Sequence, residues 1–363
     1  MKKQAKKLFD VFQEGYTKRD PEWITPFMEA LFEDEVGINV IGTGNAEIFQ
    51  SKEEVEELFK GDWLYWGDLR VKLEGHVHQD LSNHDLFIVW GDLTYTYTID
   101  DTTDGKYYGY IKGILEEAKS EDVAHIRHQE SKVHYILDHY LHARKGNKRK
   151  EDYPIVMVFL CEEKAEDYYV RALTFTNPPE GRFPDERIHP FTGYDKDHEK
   201  NISMIKKVGK DKLGTSIFAK EKAKDFVFLD IDGRSYSGEQ AKEKFTDRRS
   251  FYDWMDIHEE QGLIYQKDKI KAMTFLGSVG KKMNEEYLRK EVHREILEVM
   301  SSDKSEKNKM FVMRRKMSFL EKELALGEDF AWSFRVFVVT ENDEIKMIQF
   351  SYPMDMILEG KYA

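Results

Sequence analysis

Ser51-Lys-Glu53-Glu-Val-Glu-Glu57-Leu-Phe59 returns, altered but with the same spacing, as Ser237-Gly-Glu239-Gln-Ala-Lys-Glu243-Lys-Phe245, each shared position 186 residues later. Further landmarks keep the same order. Trp66-x-Asp68-Leu69 is matched by Trp254-x-Asp256-Ile257 at an offset of 188, and Ile114-Leu115-Glu116 by Ile296-Leu297-Glu298 at 182. Phe175-x-x-Pro178 is matched by Phe350-x-x-Pro353 at 175. A fixed order with slowly drifting offsets is what copying of one unit, followed by gain and loss of loop residues, leaves behind. The expectation is one module written twice. Residues 1–180 form the first copy, 181–208 a proline-containing linker with a short helix, and 209–363 a divergent second copy.

Composition agrees with two packed cores. The 363 residues exceed what one small core needs, and 40% are hydrophobic and 13% aromatic. A formal charge of -13 argues against nucleic acid or an anionic membrane as the main partner, since both attract basic surfaces. Cys161 is the only cysteine, so no intrachain disulfide can form, and its setting in Ile155-Val-Met-Val-Phe-Leu-Cys161 reads as a buried strand. No apolar targeting segment follows Met1, and no run approaches the roughly 18 apolar residues of a membrane span. A cytoplasmic protein is expected.

Around the opening stretch the pattern alternates between helix and strand. Ala5, Leu8, Phe9, Phe12 and Tyr16 mark one face of a helix, and Asp20-Pro21 starts another that carries Trp23, Ile24, Phe27, Met28, Leu31 and Phe32. A short strand over 37–44 returns near Ile48. Ser51 then caps a helix whose inner face is Val55, Leu58 and Phe59. Strands follow at 71–77, 86–99, 155–162 and 168–176, the first two alternating in the way of a sheet with one covered face. Helices are expected over 107–119, 122–144, 285–300 and 309–326. The second copy repeats the plan, with strands at 226–231, 254–259, 269–278, 333–340 and 345–351 around a helix at 238–246.

In its order of strand, Gly42-Thr-Gly44, Glu47, Ser51-capped helix, and Asp62-Trp63-x-x-Trp66-Gly67-Asp68, the chain resembles the SnoaL-like branch of the nuclear-transport-factor-2-like superfamily. The closing Phe350-Ser351-Tyr352-Pro353 is similar to that branch's last strand. The resemblance implies an α+β fold of two tandem cone-shaped modules, each a curved antiparallel sheet wrapped around helices with a pocket at the open end. It also implies that the sheets pair, here as an intramolecular pseudo-dimer, with a homodimer as a further option.

Chemistry gathers at Asp62, Trp63, Trp66 and Asp68, where two carboxylates stand beside two indoles. Burial there would lift one acid into the range of a general base, so Asp62 and Asp68 are the candidate catalytic residues. Core packing of the tryptophans and turn roles for the aspartates compete with that reading. Trp63, Trp66, Tyr95, Tyr97 and Glu47 are the candidate ligand contacts. Gly42-Thr-Gly44 lacks the remaining features of a phosphate loop and reads as a strand bend. His125, His128, His134, His139 and His142 share one helix, but the His-x-x-His pairs lie too far apart for one ion, so neither a metal nor a cofactor is expected. At the 186-residue offset Asp62-Trp63 becomes Arg248-Arg249, which confines any acid–base chemistry to the first copy. The leading expectation is a small apolar or amphipathic ligand, or a protein partner, held in the cones. The alternative is an isomerase or dehydratase acting next to a carbonyl, and a third reading is a purely structural domain.

Overall fold

The computed structural model describes residues 2–33, 37–43, 47–65, 68–98, 148–165, 167–178, 216–257, 262–281, 301 and 330–353. The expected linker, the histidine-bearing helix and the other helices expected over 107–119, 285–300 and 309–326 lie outside the described residues.

Helices α1 (Lys3–Lys18), α2 (Ile24–Leu31) and α3 (Lys52–Tyr65) form where the apolar stripes predict them. Asp20 accepts from the Glu22 N–H at the start of a short 3-10 turn that leads into α2. At α3 the cap is reciprocal. The Glu54 N–H donates to Ser51 Oγ at 3.2 Å, while Glu54 Oε2 accepts the Ser51 N–H at 3.2 Å. The chain then runs through β1 (Val40–Ile41), β2 (Ile48–Phe49), β3 (Asp68–Leu81), β4 (His84–Thr98), β5 (Lys148–Lys164) and β6 (Asp167–Thr176). These pair in the order β2-β1-β6-β5-β4-β3, with β1 parallel to β6 and the other pairs antiparallel. Register breaks between Lys72 and Val77 and between Leu160 and Cys161 bend the sheet around its helices.

The second half supplies β7 (Lys222–Leu229), β8 (Ser235–Ser237), α4 (Gly238–Phe251), β9 (Trp254–Ile257), β10 (Leu263–Lys267), β11 (Ile270–Lys281), β12 (Phe330–Glu341) and β13 (Glu344–Ser351). Their order, β8-β7-β13-β12-β11 with β9 and β10 both on β11, matches that of the first sheet, and β7 is again the one strand paired in parallel, with β13. Gly91 and Gly277 hold equivalent places. A Cβ on either would run into the backbone of the neighbouring strand, at Arg70 O and Asp256 O respectively. Pairing also corrects one landmark. Asp68 stands opposite Thr94 and Trp254 opposite Gly280, so Trp254 corresponds to Asp68 and the two tryptophans of the repeated motif are not equivalent.

The central strands of both sheets are buried on both faces, where the sequence suggested one. On β5, Ile155, Met157, Phe159 and Cys161 face the helices, joining Phe9, Phe12, Phe27 and Phe59. Val156, Val158 and Leu160 face the other way, into a layer shared with Val227, Ala272, Phe337, Val339 and Met347 of the second sheet. On β12, Phe334, Val336 and Val338 turn instead toward the second half's own core with Phe228, Phe245 and Phe350. A strand covered on both sides needs apolar residues at every position, which is why 155–161 reads as an unbroken run. Burial pushes the Cys161 thiol well above its ordinary pKa, consistent with an inert core group.

Polar contacts stitch the two sheets together. Thr174 Oγ1 donates to Gln349 Oε1 at 2.9 Å, and these two residues occupy the same place in β6 and β13, opposite Val158 and Phe337. Trp90 Nε1 donates to Gly233 O at 2.8 Å and Gln79 Nε2 to Asp225 O at 2.9 Å. His84 Nε2 meets the Tyr265 hydroxyl at 2.8 Å. No described helix is long and apolar enough to cross a membrane.

Candidate functional site

Helix α3 brings Val55, Phe59 and Asp62–Trp63 to the inside of the first sheet, because residues three, four and seven apart share a helix face. Phe59 packs edge-on to Phe27 with ring centroids 5.0 Å apart, and Trp63 packs edge-on to Phe27 at 5.0 Å. Into this aromatic interior α1 delivers Tyr16, whose ring lies 5.1 Å from Phe12 and 6.2 Å from Phe59. The Tyr16 hydroxyl donates a 2.6 Å hydrogen bond to Asp62 Oδ2.

Burial pushes the Asp62 carboxyl up to about 7. The Tyr16 hydrogen bond works against this, and the negative charge of Glu47 works with it. Burial, then the neighbouring Asp62, also lifts the Tyr16 hydroxyl well above its ordinary pKa. Near neutral pH the pair thus offers a carboxyl that either holds or accepts a proton, next to a hydroxyl that stays protonated.

The remaining predicted residues divide. Glu47, half-buried, starts the return of the β1–β2 hairpin, and its carboxylate fills the space that a Cβ on Gly42 would take. Trp63 is 2% exposed and packed as core, with its Nε1 lacking a hydrogen-bond partner among the described residues. Asp68 opens β3, while Tyr95 and Tyr97 lie on β4 opposite Glu151 and Arg149. The side chains of these three, and the whole of Trp66, lie outside the described residues. The structure therefore brings Asp62, Trp63 and Glu47 to one region. Tyr16 was missed. Its signal was a tyrosine ending a stripe of leucine and phenylalanine, since a buried hydroxyl needs a partner.

The second half fills the matching space differently. Arg248 replaces Asp62, and its Nε and Nη2 donate to the two carboxylate oxygens of Asp230 at 2.7 and 2.9 Å. Asp230 itself stands where the first half has Gly42, because Ile41 and Leu229 pair with Thr174 and Gln349. Nearby, the buried hydroxyls of Tyr252 and Tyr352 hydrogen-bond each other.

Among the described residues one trio has metal-ligand spacing: His78, Asp80 and Asp85. A cation already serves it. Lys2 Nζ lies 3.0 Å from Asp85 and 3.4 Å from Asp80, while Tyr168 and His78 hydrogen-bond to the same Asp85 carboxylate.

No protein-family model matches the chain, and no curated protein matches it. Solved structures do. One is a ketosteroid isomerase-like protein from Erwinia carotovora atroseptica, with 10% identity, a TM-score of 0.28, and coverage of 49% of this chain and 98% of that one. Another is a nuclear-transport-factor-2-like superfamily protein from Salmonella enterica, with 8% identity, a TM-score of 0.29, and coverage of 47% and 86%. A third is a nuclear-transport-factor-2-like protein of unknown function from Shewanella oneidensis, with 11% identity, a TM-score of 0.27, and coverage of 48% and 96%. Each match spans about half of this chain.

Proposed function

We propose that the chain is a cytoplasmic tandem of two SnoaL-like modules, residues 1–180 and 209–363, closed on each other as an intramolecular pseudo-dimer. Its role is to bind a small, largely apolar ligand in the first module. What supports the tandem is the shared strand order with its one parallel pair, and the contact between equivalent residues Thr174 and Gln349. Contact of like with like is the mark of a two-fold interface. A face already covered within the chain leaves a homodimer little of that surface to use.

The observation that carries the binding reading is the Asp62–Tyr16 pair inside an aromatic box. An acid set against an aromatic core, where burial already lifts its pKa, weakens a fold, and an apolar residue there would pack as well. Such a group points to a ligand that is apolar over most of its surface and carries one oxygen for the pair to hold. A protein segment presenting a similar apolar side chain is the other occupant the sequence suggested.

The value near 7 favours a second reading, an isomerase or dehydratase with Asp62 as general base next to a substrate carbonyl and Asp68 as the other candidate acid. One experiment separates the two. The full chain is screened by thermal shift against cyclohexanone and octanoate, before and after Asp62→Asn, and the bound ketone is then followed by NMR in deuterated buffer. A rise in melting temperature that Asp62→Asn weakens supports binding at this pair. Exchange of the ketone's α-protons that the same substitution abolishes supports the enzyme. No shift with either compound counts against the proposed ligand class.

A further inference from the structure

We infer that the second half completes the first half's candidate site: Arg335 of β12 clamps the β1–β2 hairpin and so fixes where the Glu47 carboxylate sits near that site. This deepens the reading of Asp62–Tyr16 as the functional pair and rests on it.

Arg335 lies in Phe334-Arg335-Val336-Phe337, an apolar stretch in which every second residue points toward the first sheet. Its side chain is almost completely buried, at 2% exposed, and its Nη1 donates to Gly42 O at 2.7 Å. Gly42 is the hinge of the hairpin. Its N–H holds the Glu47 carbonyl at 2.9 Å, and its missing Cβ leaves the room that the Glu47 carboxylate occupies. One residue from the second half thus fixes the peptide over which Glu47 folds.

Electrostatics follow the same line. Burial pulls Arg335 down to about 10, and the Glu47 charge opposes that fall. The same carboxylate also raises Asp62. Among the described residues, Tyr16 from α1 and Glu47 from the hairpin are the titratable groups that act on Asp62. Glu47 is therefore the shared neighbour of a guanidinium from one half and a carboxyl from the other.

Comparison across the pseudo-two-fold makes the arrangement one-way. Arg335 stands opposite Ser351, and the equivalent residue of the first half is Val156, opposite Thr176. Val156 is only an apolar neighbour of Gly233 in the second half's hairpin, whose carbonyl is held instead by the neutral donor Trp90 Nε1. In that hairpin Arg234 holds the place of Glu47, as the pairing of Leu229 with Ser235 and of Ile41 with Ile48 requires. A valine suffices for packing at this seam, and burying an arginine there costs stability. The arginine sits only on the side that reaches the half with the acid.

The test is the 13C carboxyl resonance of Asp62 in the full-length, aspartate-labelled protein, assigned by its absence in Asp62→Asn. Glu47→Gln removes the negative charge, and the Asp62 midpoint should fall by about 0.5–1 pH unit. Arg335→Met should move the midpoint in the native background and leave it unmoved in Glu47→Gln, because its influence runs through Glu47. No movement, or equal movement in both backgrounds, overturns the inference. Gly42→Ala guards against a misfolded Arg335 variant. It displaces the Glu47 carboxylate while keeping the carbonyl that Arg335 binds, and must reproduce the fall seen with Glu47→Gln; an unchanged midpoint is a second refutation. The titration needs no ligand, so failure of the proposed ligand class leaves its outcome standing separately.

Discussion

Positions 62 and 248 occupy the same turn of the same helix in two sheets of the same order, yet one half places a lone acid there and the other an arginine already paired. In the first half, the hydrogen-bond partner of Asp62 among the described residues is a neutral hydroxyl, and burial is the largest influence on its proton. In the second, Arg248 and Asp230 neutralise each other through two hydrogen bonds. The difference separates an acid held by a neutral hydroxyl from an arginine neutralised in an ion pair.

The largest expected effect tests whether the halves stand or fall together. Val158→Asp puts an unpaired carboxylate into the layer shared by both sheets and should cost roughly 4 kcal/mol or more. Circular dichroism should show both halves lost in one transition, and survival of either half as a folded unit would break the comparison. Next, Asp230→Asn strands a largely buried guanidinium and should destabilise by about 3 kcal/mol in urea titrations. Replacing both partners by apolar residues should recover most of that loss.

Asp62→Asn should behave in the opposite sense. Because the folded chain holds the Asp62 proton more tightly than the unfolded chain, that contribution is complete below about pH 4 and lost as pH rises past about 7. Asparagine cannot ionise, so the variant should come close to the native chain near pH 4 and exceed it by up to about 4 kcal/mol at pH 8. Chemical denaturation at the two pH values reads this directly. A variant that gains stability where it loses binding marks a residue kept for function. The smallest effect compares the two helix starts. Ser51→Ala breaks a reciprocal cap and should cost about 1 kcal/mol, whereas Ser237 makes no side-chain cap bond, and its alanine variant should change stability by a few tenths at most.

Much of the architecture could be read from local pattern. The apolar run at 155–161, the Ser51 cap and the stripes of α1 and α2 each carry their signal within a few residues. What escaped depends on contacts distant in sequence. Trp66 and Trp254 look equivalent in the chain, and only strand pairing shows that they are two places apart. Strand β10, five residues with one of them buried, lacked a run long enough to stand out. Two-sided burial of β4 was hidden because its second face is covered by residues more than a hundred positions away. At the site, Asp62 was legible from charge beside indole, whereas Tyr16 lay within an apolar stripe and Arg335 within an apolar strand. A polar atom in such a setting is itself the clue, since it obliges a partner somewhere.

The most direct test of the contrast between the halves is a crystal of the full chain soaked with cyclohexanone. The account predicts density in the first interior, its oxygen within hydrogen-bonding distance of Asp62 and Tyr16, and none beside Arg248. Density in the second interior instead, or a first interior filled by its own side chains, would contradict it.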